Sequence, residues 1–209
     1  MADFTFFTQP MSRGQIVRWA LQEAGADYET ELVDLSNKPR GLLDVNPMAK
    51  VPVLVHHDGD HVHVVTECAA ICHYLAETHP ESGLLPERHE KADYFRWLFF
   101  AAGPLEQAVV AGAMGWEVPE ERRGMAGFGS LDLTLDTLDQ WLSSHDHACG
   151  ARFTMADVYL GSQFIWGLRF GTIGERASFR AYVDRLTARE RYREATQIDQ
   201  KLIAAAQAG

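Results

Sequence analysis

Residues 50–77, KVPVLVHHDGDHVHVVTECAAICHYLAE, decide the fold of this chain. Val51 to Val55 is a short β-branched run opened by a proline. Asp58-Gly59 is a strong hairpin signal, and Val62 to Val65 returns as a second strand. A helix follows from about Thr66 to Thr78. Pro52 is informative because proline gives a sheet ladder no N–H and is therefore confined to edges and strand starts. The Val51-Pro52 bond reads either as a cis peptide, which would turn the Val51 N–H and C=O toward an extended ligand backbone, or as a trans proline on an edge. Thr66-Glu67-Cys68 likewise has two readings. The N-terminus of the helix offers backbone N–H groups to a carboxylate, with Glu67 beside it for an ammonium; or Thr66 caps the helix and Glu67 complements its dipole.

Working outward, Asp3 to Thr8 (DFTFFT) reads as a strand, residues 16–24 as a helix ended by Gly25, and Tyr28 to Leu35 (YETELVDL) as a second strand. The order predicts a right-handed βαβ unit. An irregular or helical connection over 36–47 leads to the ββα unit above. Residues 79–89, HPESGLLPERH, carry two prolines and a glycine and read as a linker. Beyond it only helical spacing recurs: Lys91–Val110, Leu131–Ser144, Met155–Phe170 and Phe179–Arg193. The glycine-rich 112–129 stretch is a loop or an interrupted helix. The expected fold is therefore α/β followed by all-α, with domains at 1–80 and 89–209.

The bulk numbers narrow the function classes. The chain has 209 residues, 46% of them hydrophobic and 23% charged, with a formal net charge of −10. That charge disfavours nucleic acid, and the densest basic run, RLTARERYR at 185–193, is interrupted by Glu190 and reads as a solvated helix face. No apolar run approaches the roughly 18 residues of a membrane helix, so no membrane association is expected. The N-terminus has no signal-peptide pattern, and three cysteines (Cys68, Cys72, Cys149) form no disulfide framework, which suits a reducing cytoplasm.

Ser12 is the first candidate for chemistry. A hydroxyl at a helix N-terminus can donate to a thiolate; as a bland alternative it is only an N-cap, and Thr8 is a weaker candidate for the same role. His56, His57, His61 and His63 invite a metal reading. Neighbours on a strand face opposite ways, so His56 and His57 cannot serve one ion while His61 and His63 can share a face, and no functional metal site is expected. Phe95, Leu98, Phe99 and Ala102 read as a core helix face.

Four motifs, in this order and at these spacings, resemble the cytosolic glutathione transferases over essentially the whole chain: PMSRGQIVRWALQEAGADYE (10–29), NPMAKVPVL (46–54), TECAAICHYLAE (66–77) and FTMADVYLG (153–161). The resemblance implies a thioredoxin-like N-terminal domain binding glutathione and an all-helical domain shaping an electrophile pocket. It implies Val51 before a cis Pro52 pairing with the cysteinyl backbone, Glu67 and Cys68 holding the γ-glutamyl end, and Lys38 and Lys50 near the glycine carboxylate. Ser12 matches the serine-type pattern for the catalytic group, since Phe6 and Phe7 stand where tyrosine-type members carry Tyr. Met11, Phe99, Phe100, Met114 and Trp116 are the expected electrophile-pocket residues. In FTMADVYLG the family's capping box would join Thr154 to Asp157, with Phe153 as hydrophobic staple. Cys68 departs from the family's usual serine. The implied activity is a cytoplasmic, homodimeric detoxification enzyme: a transferase using glutathione as co-substrate and no metal or organic cofactor. Another glutathione-dependent activity (isomerase, peroxidase, dehalogenase) and a non-catalytic scaffold are the alternatives.

Overall fold

A computed structural model describes residues 2–208. The chain divides into two units, residues 1–85 with 188–209, and residues 86–187. The C-terminal segment, expected with the helical domain, instead joins the first unit.

In the first unit β1 (Phe4–Thr8), β2 (Tyr28–Leu32), β3 (Val53–Asp58) and β4 (His61–Val65) form one sheet of order β2-β1-β3-β4. β1 pairs parallel with β2 and antiparallel with β3, and β3 pairs antiparallel with β4. The turn is two residues long, because Asp58 pairs with His61, and Gly59 takes φ +59, which its missing Cβ permits. Strand periodicity sorts the faces. Phe4 and Phe6, opposite His56 and Leu54, face the layer of α1 (Gly14–Ala24) and α3 (Cys68–Thr78); the Arg18 guanidinium of α1 lies 5.2 Å over the Phe6 ring, and Tyr74 of α3 meets His56. Val53, Val55 and Phe7 face the other way and pack with Leu42 of α2 (Arg40–Val45), a short helix inside the stretch read as irregular or helical.

α9 (Glu190–Ala208) packs along α1. Buried Arg18 donates through Nε to buried Asp199 at 2.7 Å, and Trp19 meets Tyr192 edge-on at 5.1 Å. Arg189 grips Glu23 with two bonds of 2.7 Å. The expected single helix over 179–193 is therefore two, α8 (Ala177–Thr187) and α9, broken at Ala188–Arg189 where Arg189 turns to Glu23.

The second unit is helical: α4 (Lys91–Phe100), α5 (Glu106–Ala113), α6 (Leu131–Leu142), α7 (Met155–Phe170) and α8. A π-helical turn, Ala101–Leu105, joins α4 to α5 around Pro104, whose missing N–H breaks the regular ladder. Residues 112–129 are the end of α5, a loop and a 3₁₀ turn (Glu120–Met125). α7 is buried on most sides, as the centre of a bundle should be. Its capping box closes: Thr154 N–H donates to Asp157 Oδ2 at 2.8 Å. Buried Asp157 also accepts from the Ala148 N–H and the Tyr182 hydroxyl, at 2.7 and 2.8 Å. Burial pushes the Tyr182 phenol well up, and the carboxylate adds to it. Phe153 meets the His147 ring edge-on at 6.0 Å.

Candidate functional site

The first unit gathers three backbone features at the C-terminal side of β1 and the start of β3 and α3. The Val51–Pro52 peptide is cis. Val51 sits just before β3, outside the ladder, whose pairing with β1 ends at Phe7 and Val53. Two residues upstream, Ala49 holds φ +54, and Glu67, which precedes α3, holds φ +66 and ψ 121. Non-glycine residues with positive φ cost on the order of 1–3 kcal/mol and concentrate where a backbone has to meet a ligand.

Helix α3 begins at Cys68, and no side chain caps it, so the Thr66 cap is not formed. Glu67 is exposed beside that uncapped end. The Cys68 thiol is buried and lies 3.8 Å from the Arg13 carbonyl, tying the start of α3 to the loop before α1. Cys72, one turn on, is a fully buried core thiol raised well above its ordinary pKa by burial.

Ser12 occupies the turn between β1 and α1 and is half-buried. Its hydroxyl donates to the Gln9 carbonyl at 2.6 Å and accepts the Gly14 N–H at 3.0 Å. The Ser12 N–H reaches the same Gln9 carbonyl at 3.0 Å. Thr8, the other hydroxyl considered, is fully buried beneath the start of α1, and its Oγ1 has no hydrogen-bond partner among the described residues. Gln9 and Gly14 were not singled out from sequence, because their contributions are a carbonyl, an amide and an absent side chain. Lys38 is half-buried, and Lys50 is exposed with its carbonyl held by Asn46 Nδ2 at 3.0 Å.

Met11 belongs to the same loop and is exposed. The other expected electrophile-pocket residues lie in the second unit. Phe99, Met114 and Trp116 are exposed there, so Phe99 and the neighbouring Phe95 are not core as the helical face suggested; Leu98 is. Phe100 lines a cavity of about 320 Å³ with Pro104, Phe128, Leu133 and Thr137.

On the β3–β4 hairpin the His61 and His63 rings do share a face, 6.2 Å apart, and His63 is 6.1 Å from His56. His56 is committed to the Tyr74 hydroxyl at 2.8 Å and stacks on Phe4. His57 points oppositely, to Thr5 Oγ1. Among the described residues no group of three or more His, Cys, Asp or Glu is placed to hold a metal, and no helix is long and apolar enough to cross a membrane.

Fold and site together define a thioredoxin-like sheet joined to a helical bundle, with a hydroxyl at the first helix, a cis-proline strand and an uncapped third helix in one unit. Residues 11–78 match the family described as "Glutathione S-transferase, N-terminal domain". The chain is 32% identical over 152 residues to glutathione S-transferase GstA of Escherichia coli O157:H7, covering 70% of this chain and 73% of that one. It is 47% identical over 73 residues to a probable maleylacetoacetate isomerase of Caenorhabditis elegans, 34% of this chain and 32% of the relative. Among solved structures, a sphingomonad glutathione S-transferase complexed with glutathione superposes with TM-score 0.72 at 27% identity, covering 94% and 98% of the two chains. This chain belongs to the glutathione S-transferase family.

Proposed function

We propose that this protein is a serine-type glutathione transferase that attacks small hydrophobic electrophiles with the glutathione thiolate. The observation that carries the reading is the Ser12 hydroxyl, half-buried at the opening of α1 and polarised by the Gly14 N–H. In this reading the backbone of Val51, ahead of the cis Pro52, pairs with the cysteinyl residue. Glu67 and the start of α3 at Cys68 take the γ-glutamyl ammonium and carboxylate, and Lys38 and Lys50 the glycine carboxylate. The sulfur then lies near Ser12. Lowering a thiol pKa from about 8.5 by two units takes about 2.7 kcal/mol. A charge-assisted hydrogen bond of roughly 1.5–3 kcal/mol with a helix-dipole contribution of roughly 0.3–1 kcal/mol covers that. The thiol proton leaves to solvent, the sulfur lone pair forms the new S–C bond, and the leaving group departs with its bonding pair. The electrophile meets the exposed apolar side chain of Met11, in the loop that carries Ser12. The enzyme works in the cytoplasm as a homodimer, with glutathione as co-substrate and no further cofactor.

Ser12→Ala tests the reading: conjugation of glutathione to an activated aryl chloride should fall at least about tenfold, the scale of one lost transition-state hydrogen bond, with folding unchanged. An unchanged rate removes Ser12 from the chemistry. Failure of the wild-type protein to be retained on immobilised glutathione would favour a scaffold. A second reading, a glutathione-dependent isomerase, is supported by the 47% identity over 73 residues to the probable maleylacetoacetate isomerase. It predicts turnover of a cis-alkene substrate without net consumption of glutathione.

A further inference from the structure

The loop carrying Ser12 is organised almost entirely by Gln9. Its backbone carbonyl accepts two bonds from one residue, the Ser12 hydroxyl at 2.6 Å and the Ser12 N–H at 3.0 Å. Its side chain folds over the same loop, where Oε1 accepts the Met11 N–H at 2.6 Å. The Met11 N–H is a donor, so the atom facing it is the amide oxygen, and the Gln9 NH₂ group is turned the other way. Opposite this arrangement, the Gly14 N–H reaches Ser12 Oγ at 3.0 Å, and the Gln15 amide closes the loop onto the Pro10 carbonyl at 2.6 Å.

This geometry makes the Ser12 hydroxyl a rotor with a built-in resting place. The hydroxyl has one hydrogen, and Gln9 O holds it. To stabilise a thiolate, that hydrogen has to leave the carbonyl for the sulfur. Stripping a buried acceptor of its only partner is costly. Here the carbonyl keeps the Ser12 N–H, so the exchange strands no acceptor. The bond that Oγ accepts from Gly14 strengthens the hydroxyl as a donor in either position, since linked hydrogen bonds polarise one another.

We propose that Gln9 is the positioning residue of the thiolate site: its carbonyl parks the Ser12 hydroxyl, and its carboxamide fixes the Met11–Ser12 turn and keeps a negative charge out of it. The proposal rests on Ser12 serving the glutathione sulfur. Gln9 acts through Ser12 and through the local field, so its signature is the ionisation of the bound thiol rather than affinity alone.

The test uses the full-length protein and glutathione, reading the thiolate's ultraviolet absorbance against pH in the wild type, Ser12→Ala, Gln9→Ala and Gln9→Glu. Gln9→Glu retains an acceptor for the Met11 N–H and changes only the outward NH₂ to a carboxylate oxygen. It should fold as the wild type does and raise the bound thiol's apparent pKa by about one or more, since a like charge nearby disfavours the thiolate. Gln9→Ala, which leaves the exposed Met11 N–H to water and adds no charge, should raise it by less than Gln9→Glu does. In both, kcat/KM at neutral pH falls and recovers at high pH, which a merely structural role would not produce. If Ser12→Ala raises the thiol pKa and neither Gln9 variant does, the Gln9 proposal is overturned and the Ser12 reading stands. If Ser12→Ala leaves the thiol pKa at its wild-type value, or the wild type takes up no glutathione, the Ser12 reading fails and the proposal with it.

Discussion

Thr8 and Gly14 share a space that admits no further atom. A Cβ on residue 14 would fall 1.8 Å from Thr8 Oγ1, 3.1 Å from Thr8 Cβ and 3.2 Å from Ser12 Oγ. The last residue of β1 and the first of α1 therefore touch directly, and the intervening turn is forced outward to carry Ser12. Gly14→Ala should destabilise the protein by about 1–3 kcal/mol, the range for overpacking, and displace Ser12. Thr8→Ala alone removes a buried hydroxyl that has no partner and should be close to neutral. Combined with Gly14→Ala it should restore part of the loss, because the 1.8 Å clash disappears and the 3.1 Å contact remains. Urea unfolding of the four proteins closes this cycle; additive effects would show that the two residues do not meet.

The Arg18–Asp199 pair decides where the chain's last helix belongs. Both side chains are almost wholly buried, at 1% and 4% exposure, and burial raises the Asp199 carboxyl even though Arg18 lowers it. Such a pair repays little of its desolvation, yet losing one member strands the other. Asp199→Ala should cost about 3–5 kcal/mol, while Arg18→Met with Asp199→Leu should cost far less. Equal losses for the single and the double variant, measured by chemical unfolding, would show that the pair supplies the stability itself.

Glu90 gives the helical unit an acid-sensitive tie. Burial alone would raise its carboxyl, but the Arg152 guanidinium and the Glu87 N–H outweigh that and hold it below the ordinary carboxylate range. A depressed carboxylate contributes stability that is whole above its unfolded pKa and is lost as pH falls through the folded one. Glu90→Gln should therefore lower the melting temperature at pH 7 and make it fall less steeply below about pH 4.5. A variant curve running parallel to the wild type through that window would contradict this.

Much of this was readable from residue chemistry acting over short range. Pro52 at a strand mouth, the Asp58-Gly59 turn and the Thr154–Asp157 capping box each depend on neighbours within a few residues. The misses have two sources, a contact far along the chain and a proline inside an apolar helical pattern. Nothing at Ala188–Arg189 resembles a helix stop, since neither glycine nor proline is present; the break follows from Arg189 reaching Glu23, 166 residues away. The π turn at Pro104 interrupts a stretch whose apolar spacing alone predicts one continuous helix. At the site, sequence marked Ser12 but not the atoms that hold it. Gln9 acts through a carbonyl and an amide, and Gly14 through the Cβ it lacks, and none of these leaves a periodic or motif signal.

Cys68 stands where the family usually has serine, and its thiol reaches the Arg13 carbonyl at 3.8 Å. A thiol is a weak donor and a hydroxyl a better one, while the backbone N–H of residue 68 is indifferent to the exchange. Cys68→Ser should therefore bind glutathione as tightly as the wild type or up to about threefold more tightly, on the scale of a few tenths of a kcal/mol per improved hydrogen bond. All three thiols should resist iodoacetamide at neutral pH in the folded wild type and in the variant, because Cys68 is buried, burial raises the Cys72 thiol well above its ordinary value, and burial pushes Cys149 up to about 12. Calorimetric titration with glutathione and intact-mass analysis after alkylation read the two outcomes. A tenfold loss of affinity would mean that the sulfur of Cys68 itself serves the site, and labelling of the folded protein would place a reactive thiol in the fold.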